Sequence, residues 1–511
     1  MTIIYNQSIA AGASEPIVNL SATRDVFSPI NSVLKAWWSL SDYSSLTLSS
    51  TKITQILDKS GNNNTITQAT DANRPTFSGT AFSSTYPGAT FSTSDIGRAA
   101  ASPINNIFAG GGAIVMNLTI TGTNGGNGTI IAKSTDPTNL TTGWKVFHYG
   151  AGPANIRFAA KCATQTGIWD IGGLVFDRNY VLKISWDSSS PTTDPVISLN
   201  GVPQTVTVAQ APIGAYVSDA SDALIIGNNS TNDLYPFVGK INQAMLFKGA
   251  FPSGYEARLI PFLGQLSGIP TYPIYGLFGQ SNAVGNATTS NSYYQAGLSR
   301  TTSNQASIWT GASFQPLAAA ANNNALDSGS FGPEITFTTA KYLTLQNPVY
   351  LVKYAVAATS LAVDWAPTSG TQWTGMKAAV DAAFAAAPQI PAIPLYCGTN
   401  WVQGETDAQS LNNATNYATN LTTFISQFNS VVLASYLISP NNTFVIAGLG
   451  NLNLETCPYT VLVTQNQLKV VNSVSNTTYV YTKDLTLNSD GVHYAAAGQV
   501  LLGQRLAAAS N

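Results

Sequence analysis

The sequence has few of the residues from which disulfide frameworks, metal sites and charged binding surfaces are built. Of its 511 residues, three are cysteine, two are histidine and 9% are charged. An odd number of scattered cysteines, with no CxxC spacing, predicts neither a disulfide framework nor a zinc site. The formal net charge of -2 provides no basic surface for nucleic acid or anionic lipid, so we expect no nucleic-acid partner and no membrane insertion.

Long apolar runs are also missing. No segment reaches the roughly 18 apolar residues that a membrane-spanning helix needs, and residues 1–16 lack the basic and apolar regions of a signal peptide. We therefore expect synthesis in a cytoplasm without export by the general secretory route. Apolar residues still make up 44% of the chain, and its length exceeds what one core usually organises, so two or three domains are expected.

The first part of the chain has the texture of an all-β domain. Residues 1–30 are polar with little periodicity and are interpreted as an N-terminal arm or linker. Residues 31–268 consist of short alternating runs bounded by turn residues, which is typical of a β-sandwich. The strand-length runs lie at 113–120, 180–187, 194–202, 223–230 and 240–249. The Gly-rich stretch 264–270 is the predicted domain boundary.

Residues 272–511 have a different pattern, in which apolar strands alternate with helical segments. The predicted strands lie at 274–279, 349–356, 394–400, 443–450 and 478–482. Tyr417, Leu421, Phe424 and Phe428 recur at helical spacing between two of them. Such alternation predicts an α/β domain around a mostly parallel sheet, whose chemistry lies in the loops beyond the carboxyl ends of the strands.

Three residues of this second domain could form a hydrolytic centre. Ser281 directly follows the first apolar strand, and Gly279 lets the chain turn sharply enough to expose a serine hydroxyl. Serine needs a base, usually a histidine that a carboxylate orients. His493 is the one histidine of this domain, and Asp490 lies three residues before it, so both sit on one tight loop. These three residues are the predicted catalytic group.

A third polar loop, residues 400–407, follows another predicted strand. Gln403 is the predicted side-chain donor to a developing oxyanion. Glu405 and Asp407 are expected to brace the loop. The two carboxylates leave an alternative open, glycoside hydrolysis across a bound sugar. That alternative gives the serine and the histidine no part.

Taken together, these polar segments resemble a known family. They are GQSN (279–282), FGPE (331–334), KYAVAATSLAVDW (353–365), WVQGETD (401–407) and DGVH (490–493), in this order. Residues 272–511 thus look like the SGNH hydrolase superfamily, and most like its branch of sialate O-acetylesterases and carbohydrate acetylesterases. The resemblance implies a three-layer, flavodoxin-like α/β/α fold, no cofactor, no metal, and the serine, histidine and aspartate named above as the catalytic residues.

The resemblance also implies a set of groups that bind the oxyanion or the substrate. They are the backbone N–H of Ser281, a backbone N–H of the third segment, the Gln403 side chain and Asn282. Family members usually carry two glycines before Thr-Ser-Leu, whereas this chain has Ala357 and Ala358. A backbone N–H survives that change, but a φ above zero at either alanine would cost about 1 kcal/mol.

The first domain is similar to concanavalin-like jelly rolls of the laminin-G type. Segments 37–77 and 223–249 carry the similarity. Exposed aromatic side chains of such a domain could stack on sugars, but the following tryptophans are expected in the core: Trp37, Trp38, Trp144 and Trp169. The alternative is a spacer that binds nothing.

The sequence thus predicts a serine esterase that removes O-acetyl groups from bacterial polysaccharide, such as a capsule or O-antigen. An esterase for surface glycans without a signal peptide resembles, by analogy, a bacteriophage tail spike that lysis releases in the virion. This interpretation implies a homotrimer that contacts other phage tail proteins. Two alternatives stay open, a secreted extracellular bacterial esterase and a catalytically decayed virion protein that only binds glycan.

Overall fold

The structure is a computed structural model, and the residues it describes are 32–83, 86–92, 96–99, 104–122, 127–134, 139–150, 154–228, 236–250, 255–288, 305–319, 330–387 and 392–510. The proposed arm at 1–30 lies outside them. The chain divides into two compact units, Met1–Pro270 and Thr271–Asn511. The division falls at the end of the Gly-rich stretch named above as the boundary.

The first unit is built from short strands. They are β1 (Leu34–Ser39), β2 (Leu46–Ser49), β3 (Lys52–Ile56), β4 (Ile66–Thr67), β5 (Thr76–Ser83), β6 (Tyr86–Phe91), β7 (Ile96–Ala99), β8 (Gly112–Ile120), β9 (Asn127–Lys133), β10 (Trp144–Tyr149), β11 (Ala154–Ala160), β12 (Gly167–Leu174), β13 (Asn179–Trp186), β14 (Val196–Leu199), β15 (Val202–Pro203), β16 (Thr207–Gln210), β17 (Leu224–Ile226) and β18 (Gly239–Lys248). Helix α1 (Glu256–Gln265), which the sequence did not predict, ends the unit.

These strands form two antiparallel sheets within the described residues, one of 11 strands and one of 7. The larger has the order β15-β14-β13-β8-β18-β6-β5-β3-β2, with β1 beside β18 and β4 beside β3. The smaller has the order β16-β12-β11-β10-β9-β17-β7. Apolar side chains of both sheets share one core, in which Trp38, Trp144 and Trp169 are fully buried. Trp37 is buried as well, outside this shared core. The predicted β-sandwich and the burial of the tryptophans are confirmed.

The second unit alternates strands and helices. Its strands are β19 (Thr271–Gly279), β20 (Ala287–Thr288), β21 (Ala306–Trp309), β22 (Phe314–Pro316), β23 (Ser330–Phe331), β24 (Val349–Ala355), β25 (Ile393–Val402), β26 (Ile438–Ala447) and β27 (Thr477–Val480). Its helices are α2 (Ser281–Val284), α3 (Glu334–Leu345), α4 (Thr371–Ala386), α5 (Leu411–Gln427), α6 (Thr460–Ser473) and α7 (Ala496–Ala509). Among the described helices of the chain, none combines the length and the apolarity needed to cross a bilayer.

A single sheet with the order β22-β21-β24-β19-β25-β26-β27 forms the middle of this unit. Its neighbours are parallel except for the edge strand β22. Helices α4, α5 and α6 pack on one face, and α3 and α7 pack on the other. The predicted three-layer α/β/α domain is confirmed. The central strands β24, β19 and β25 therefore end side by side, and the polar loops that follow them meet at one edge of the sheet.

Candidate active site

Ser281 lies in a sharp turn between the end of β19 and the short helix α2. Gly279 adopts a φ of 143°, and a Cβ there would lie 1.9 Å from the Val402 carbonyl oxygen, so only glycine fits. The backbone N–H of Gln280 donates to the same carbonyl at 3.0 Å, and Val356 N–H donates to the Gly279 carbonyl at 3.0 Å. The serine turn is thus fixed to the ends of both neighbouring strands.

Asp490 and His493 share the loop that precedes α7. The Asp490 Oδ2 atom lies 2.8 Å from His493 Nδ1, and Oδ1 accepts the backbone N–H groups of Val492 at 2.8 Å and His493 at 2.9 Å. Burial opposes ionisation of Asp490, but these backbone and imidazole hydrogen bonds outweigh it and lower the pKa of the carboxyl. The carboxylate and the imidazole therefore meet as their three-residue spacing predicts.

Asn282 joins the serine turn to the histidine loop. Its Oδ1 accepts the backbone N–H of Tyr494 at 2.9 Å, and its Nδ2 donates to the Val492 carbonyl at 3.2 Å. One amide thus holds the residues on both sides of His493 and ties the histidine loop to the residue that follows Ser281. Within the described residues, no hydrogen bond joins the serine hydroxyl to the imidazole, a contact that often forms only when substrate is bound.

The predicted role of Asn282 in binding oxyanion or substrate needs correction. The residue is fully buried, and Nδ2 also donates to Glu405 Oε1 at 2.6 Å. Because its side-chain donors and acceptor are engaged with protein groups, Asn282 holds two loops together instead of facing a ligand.

Ala357 and Ala358 form an exposed turn directly after β24. Ala358 has a φ of 56°, so the chain places an alanine in the left-handed conformation that glycine adopts without strain. The hydroxyl of Thr359 donates to the Val356 carbonyl at 2.7 Å and accepts from Trp365 Nε1 at 2.9 Å. Ala358 thus has a left-handed backbone conformation that glycine would adopt freely, and its methyl group makes this conformation less favourable.

Gln403 does not present its amide to this turn as an oxyanion donor. The side chain is 1% exposed, and Nε2 donates to the Thr359 carbonyl at 3.0 Å and to Asp407 Oδ2 at 2.6 Å. A carboxamide has two N–H donors, so both are taken inside the protein. In this conformation Gln403 braces the backbone that follows the alanine turn.

Glu405 and Asp407 are both buried behind the site. Asp407 accepts the backbone N–H groups of Leu361 at 2.8 Å and Ala362 at 3.3 Å, so it anchors the segment after the alanine turn. Burial raises the pKa of both carboxyl groups. The hydrogen bond from Gln403 to Asp407 opposes this rise, as does the hydrogen bond from Asn282 to Glu405. Asp407 supports the segment after the alanine turn and Glu405 accepts from Asn282, and this buried arrangement gives no support to the glycosidase alternative.

Residues 271–511 match the family model described as carbohydrate esterase, sialic acid-specific acetylesterase. The second unit thus matches a carbohydrate esterase family along its whole length. The protein is accordingly an ester hydrolase. No curated protein matches the chain.

Solved structures with similarity to the chain include three examples. A protein from Arabidopsis thaliana is 20% identical and covers 46% of this chain and 96% of its own, with a TM-score of 0.39. A carbohydrate acetylesterase from Xanthomonas citri is 15% identical and covers 68% of this chain and 71% of its own, with a TM-score of 0.35. NanS is 12% identical and covers 47% of this chain and 97% of its own, with a TM-score of 0.37.

A buried ion pair supports the serine turn of the esterase domain, and sequence reasoning gave it no role. Lys353 Nζ lies 3.0 Å from Glu334 Oε2, and both side chains are completely buried. Lys353 also donates to the Val284 carbonyl at 2.7 Å, and Glu334 Oε1 accepts the Gly332 N–H at 2.8 Å. The sequence did contain a signal for this ion pair, which is a lysine within the largely apolar strand β24. A lysine is rarely buried without a charged partner.

The esterase domain offers no group of metal ligands among its described residues, in which no cluster of three or more His, Cys, Asp or Glu side chains occurs. The three cysteines of the chain are free and buried.

Proposed function

We propose that the protein removes O-acetyl groups from an O-acetylated bacterial polysaccharide, with Ser281 as nucleophile, His493 as base and Asp490 as the group that orients the base. The observation that carries the proposal is the double contact of Asn282 with the backbone on both sides of His493. It ties the loop of a bonded Asp490–His493 pair to the residue after Ser281, in a turn that requires glycine at 279.

In the first half of the reaction the serine oxygen attacks the acetyl carbonyl carbon. Asp490 accepts the Nδ1 hydrogen, so Nε2 is the nitrogen that takes the serine proton. The imidazolium then returns this proton to the sugar oxygen as the ester bond breaks. The sugar leaves with a free hydroxyl, and the acetyl group stays on Ser281.

Negative charge develops on the carbonyl oxygen during both halves of the reaction. The backbone N–H of Ser281 and an N–H of the Ala357–Ala358 turn are the proposed donors, since both lie at the carboxyl ends of adjacent strands. Water then attacks the acetyl-serine as His493 takes its proton, and the imidazolium returns this proton to the Ser281 oxygen as acetate leaves. Ala358 keeps the left-handed turn, which favours an active enzyme over the decayed glycan-binding alternative.

We further propose that the enzyme acts as part of a bacteriophage tail spike, as a homotrimer with other tail proteins, on capsule or O-antigen. The pairing of an esterase domain with a β-sandwich supports this proposal. Light scattering of the full chain is expected to give about three times the monomer mass of 53.6 kDa. A monomer would favour the secreted extracellular esterase instead.

Release of acetate is the test of the activity itself. Purified acetylated capsule, acetylated O-antigen and O-acetylated sialic acid, each with its chemically deacetylated form as control, should be incubated with the protein and the acetate measured. Acetate from at least one acetylated glycan is expected. Binding to glycan without any acetate release would support the decayed protein.

A further inference from the structure

Glu405 has one carboxylate oxygen engaged and one without a partner, although the whole side chain is buried. It is 3% exposed, and Oε1 accepts from Asn282 Nδ2 at 2.6 Å. Within the described part of the chain, Oε2 has no hydrogen-bond partner. A buried, half-satisfied carboxyl destabilises the fold, so its presence here requires a reason beyond packing.

The Asn282 amide connects this carboxyl to the histidine loop. Nδ2 faces Glu405 and the Val492 carbonyl, and Oδ1 faces the Tyr494 N–H. If the amide turned over, its oxygen would face two acceptors and its NH₂ group would face a donor, so all three contacts would be lost. Glu405 therefore fixes the orientation in which Asn282 holds both sides of His493.

We propose that Glu405 is a positioning residue, which sets His493 beside Ser281 through the side chain of Asn282. The inference rests on the proposed function, because it concerns the same histidine. Asp490 accepts two backbone N–H groups, but its side chain is 45% exposed and the His493 side chain is 28% exposed, so solvent competes for these contacts. The buried hydrogen bond between Glu405 and Asn282 is shielded from that competition.

The test compares Glu405→Leu, Glu405→Gln and wild type on an activated acetate ester. Leucine removes the acceptor, and a displacement of the imidazole by about 1 Å lowers turnover on the order of 100-fold, so we expect this loss in kcat with KM little changed. Glutamine keeps an acceptor oxygen for Asn282 and is expected to stay within about three-fold of wild type. Glu455→Leu, an exposed glutamate on the loop before α6, is the matched control and should leave kcat unchanged.

A double-mutant cycle separates positioning from general damage. If Glu405 acts through Asn282, Glu405→Leu in an Asn282→Ala background should lower kcat by less than about three-fold, because the contact is already absent. Independent losses that multiply in the double variant would overturn the proposal. So would full kcat in a folded Glu405→Leu protein.

The imidazole provides a readout that needs no substrate. The chain contains two histidines, so histidine-labelled protein gives two sets of imidazole NMR signals, and His493→Asn assigns them by loss. Glu405→Leu and Asn282→Ala should shift the His493 signals alike, and Glu455→Leu should not. An unchanged His493 spectrum in Glu405→Leu would refute the proposal. If wild type releases no acetate but these shifts occur, the proposed function fails while the positioning contact stands.

Discussion

Both units of the molecule bury charged groups, but they do so for different ends. In the β-sandwich, Lys133 lies 3.3 Å from Asp219, and that carboxylate also accepts from Trp144 Nε1 at 3.1 Å and from the Tyr216 hydroxyl at 2.9 Å. Asp219 also accepts the Asn106 backbone N–H at 2.6 Å, so this cluster ties loops of the sandwich together. In the esterase domain the buried polar side chains converge on backbone beside Ser281 and His493. Buried polar side chains point to a candidate site when their hydrogen bonds converge on predicted catalytic residues.

The largest expected effect concerns the predicted catalytic residues of the esterase domain. Ser281→Ala should lower acetate release on the order of 10⁴-fold, and His493→Ala should match it, because members of such a catalytic group act as a unit. Thermal unfolding should stay close to wild type. A Ser281→Ala protein that kept more than about a tenth of the activity would remove Ser281 from the role of nucleophile.

The second prediction tests the β-sandwich by removing one partner of its buried ion pair. Lys133→Met leaves the Asp219 carboxylate buried without its cation, which should lower the free energy of unfolding by about 3 kcal/mol in a denaturant titration. Hydrolysis of a small acetate ester should not change while the protein is folded. The control is Lys52→Met in the exposed Lys52–Asp71 pair, for which a loss of less than about 1 kcal/mol is expected. Equal losses in both variants would show that burial of the pair is irrelevant.

A third prediction concerns the anchor of the alanine turn. Asp407→Ala removes the acceptor of two backbone N–H groups and of Gln403, so the turn loses its support and kcat should fall roughly 30-fold. Asp484→Ala, in an exposed pair with Arg505, serves as the control and should leave kcat unchanged. If kcat of the Asp407 variant equals that of wild type, the turn has no part in the reaction.

The smallest expected effect concerns the backbone strain at Ala358. Ala358→Gly should raise the free energy of unfolding by up to about 1 kcal/mol, because glycine adopts a φ of 56° without strain. Activity should be kept, since the backbone N–H is unchanged. Chemical denaturation of both proteins measures the difference, and a less stable glycine variant would show that the methyl group makes contacts that outweigh its strain.

Much of the fold could be predicted because periodicity reports directly on burial. The runs at 113–120, 180–187 and 240–249 became strands β8, β13 and β18 with ends shifted by one residue. Helix α1 was missed because Pro261 lies inside it and argues locally against a helix. A proline that costs one backbone hydrogen bond is tolerated where the helix packs well, which is a tertiary effect.

The site could be predicted only in part. The Asp490–His493 contact follows from local spacing, and Gly279 from the turn that Ser281 requires. The Gln403 amide donates to the nearby Asp407 but also to Thr359, at a separation of 44 residues, and the Asn282 amide donates to Val492, at a separation of 210. No pattern along the chain encodes which hydrogen-bond partner a buried amide meets. The sequence therefore identified Gln403 and Asn282 as polar residues of the site, but it assigned their amides to the substrate. In the structure these amides bond to protein groups.

The backbone at Ala358 has a stereochemical consequence. A φ of 56° is the mirror image of the conformation that L-residues prefer, so it is the natural conformation of a D-amino acid. Glycine adopts this conformation without strain, whereas the Cβ of an L-residue such as Ala358 adds a steric cost. A semisynthetic enzyme with D-alanine at 358 would therefore retain the turn without this strain.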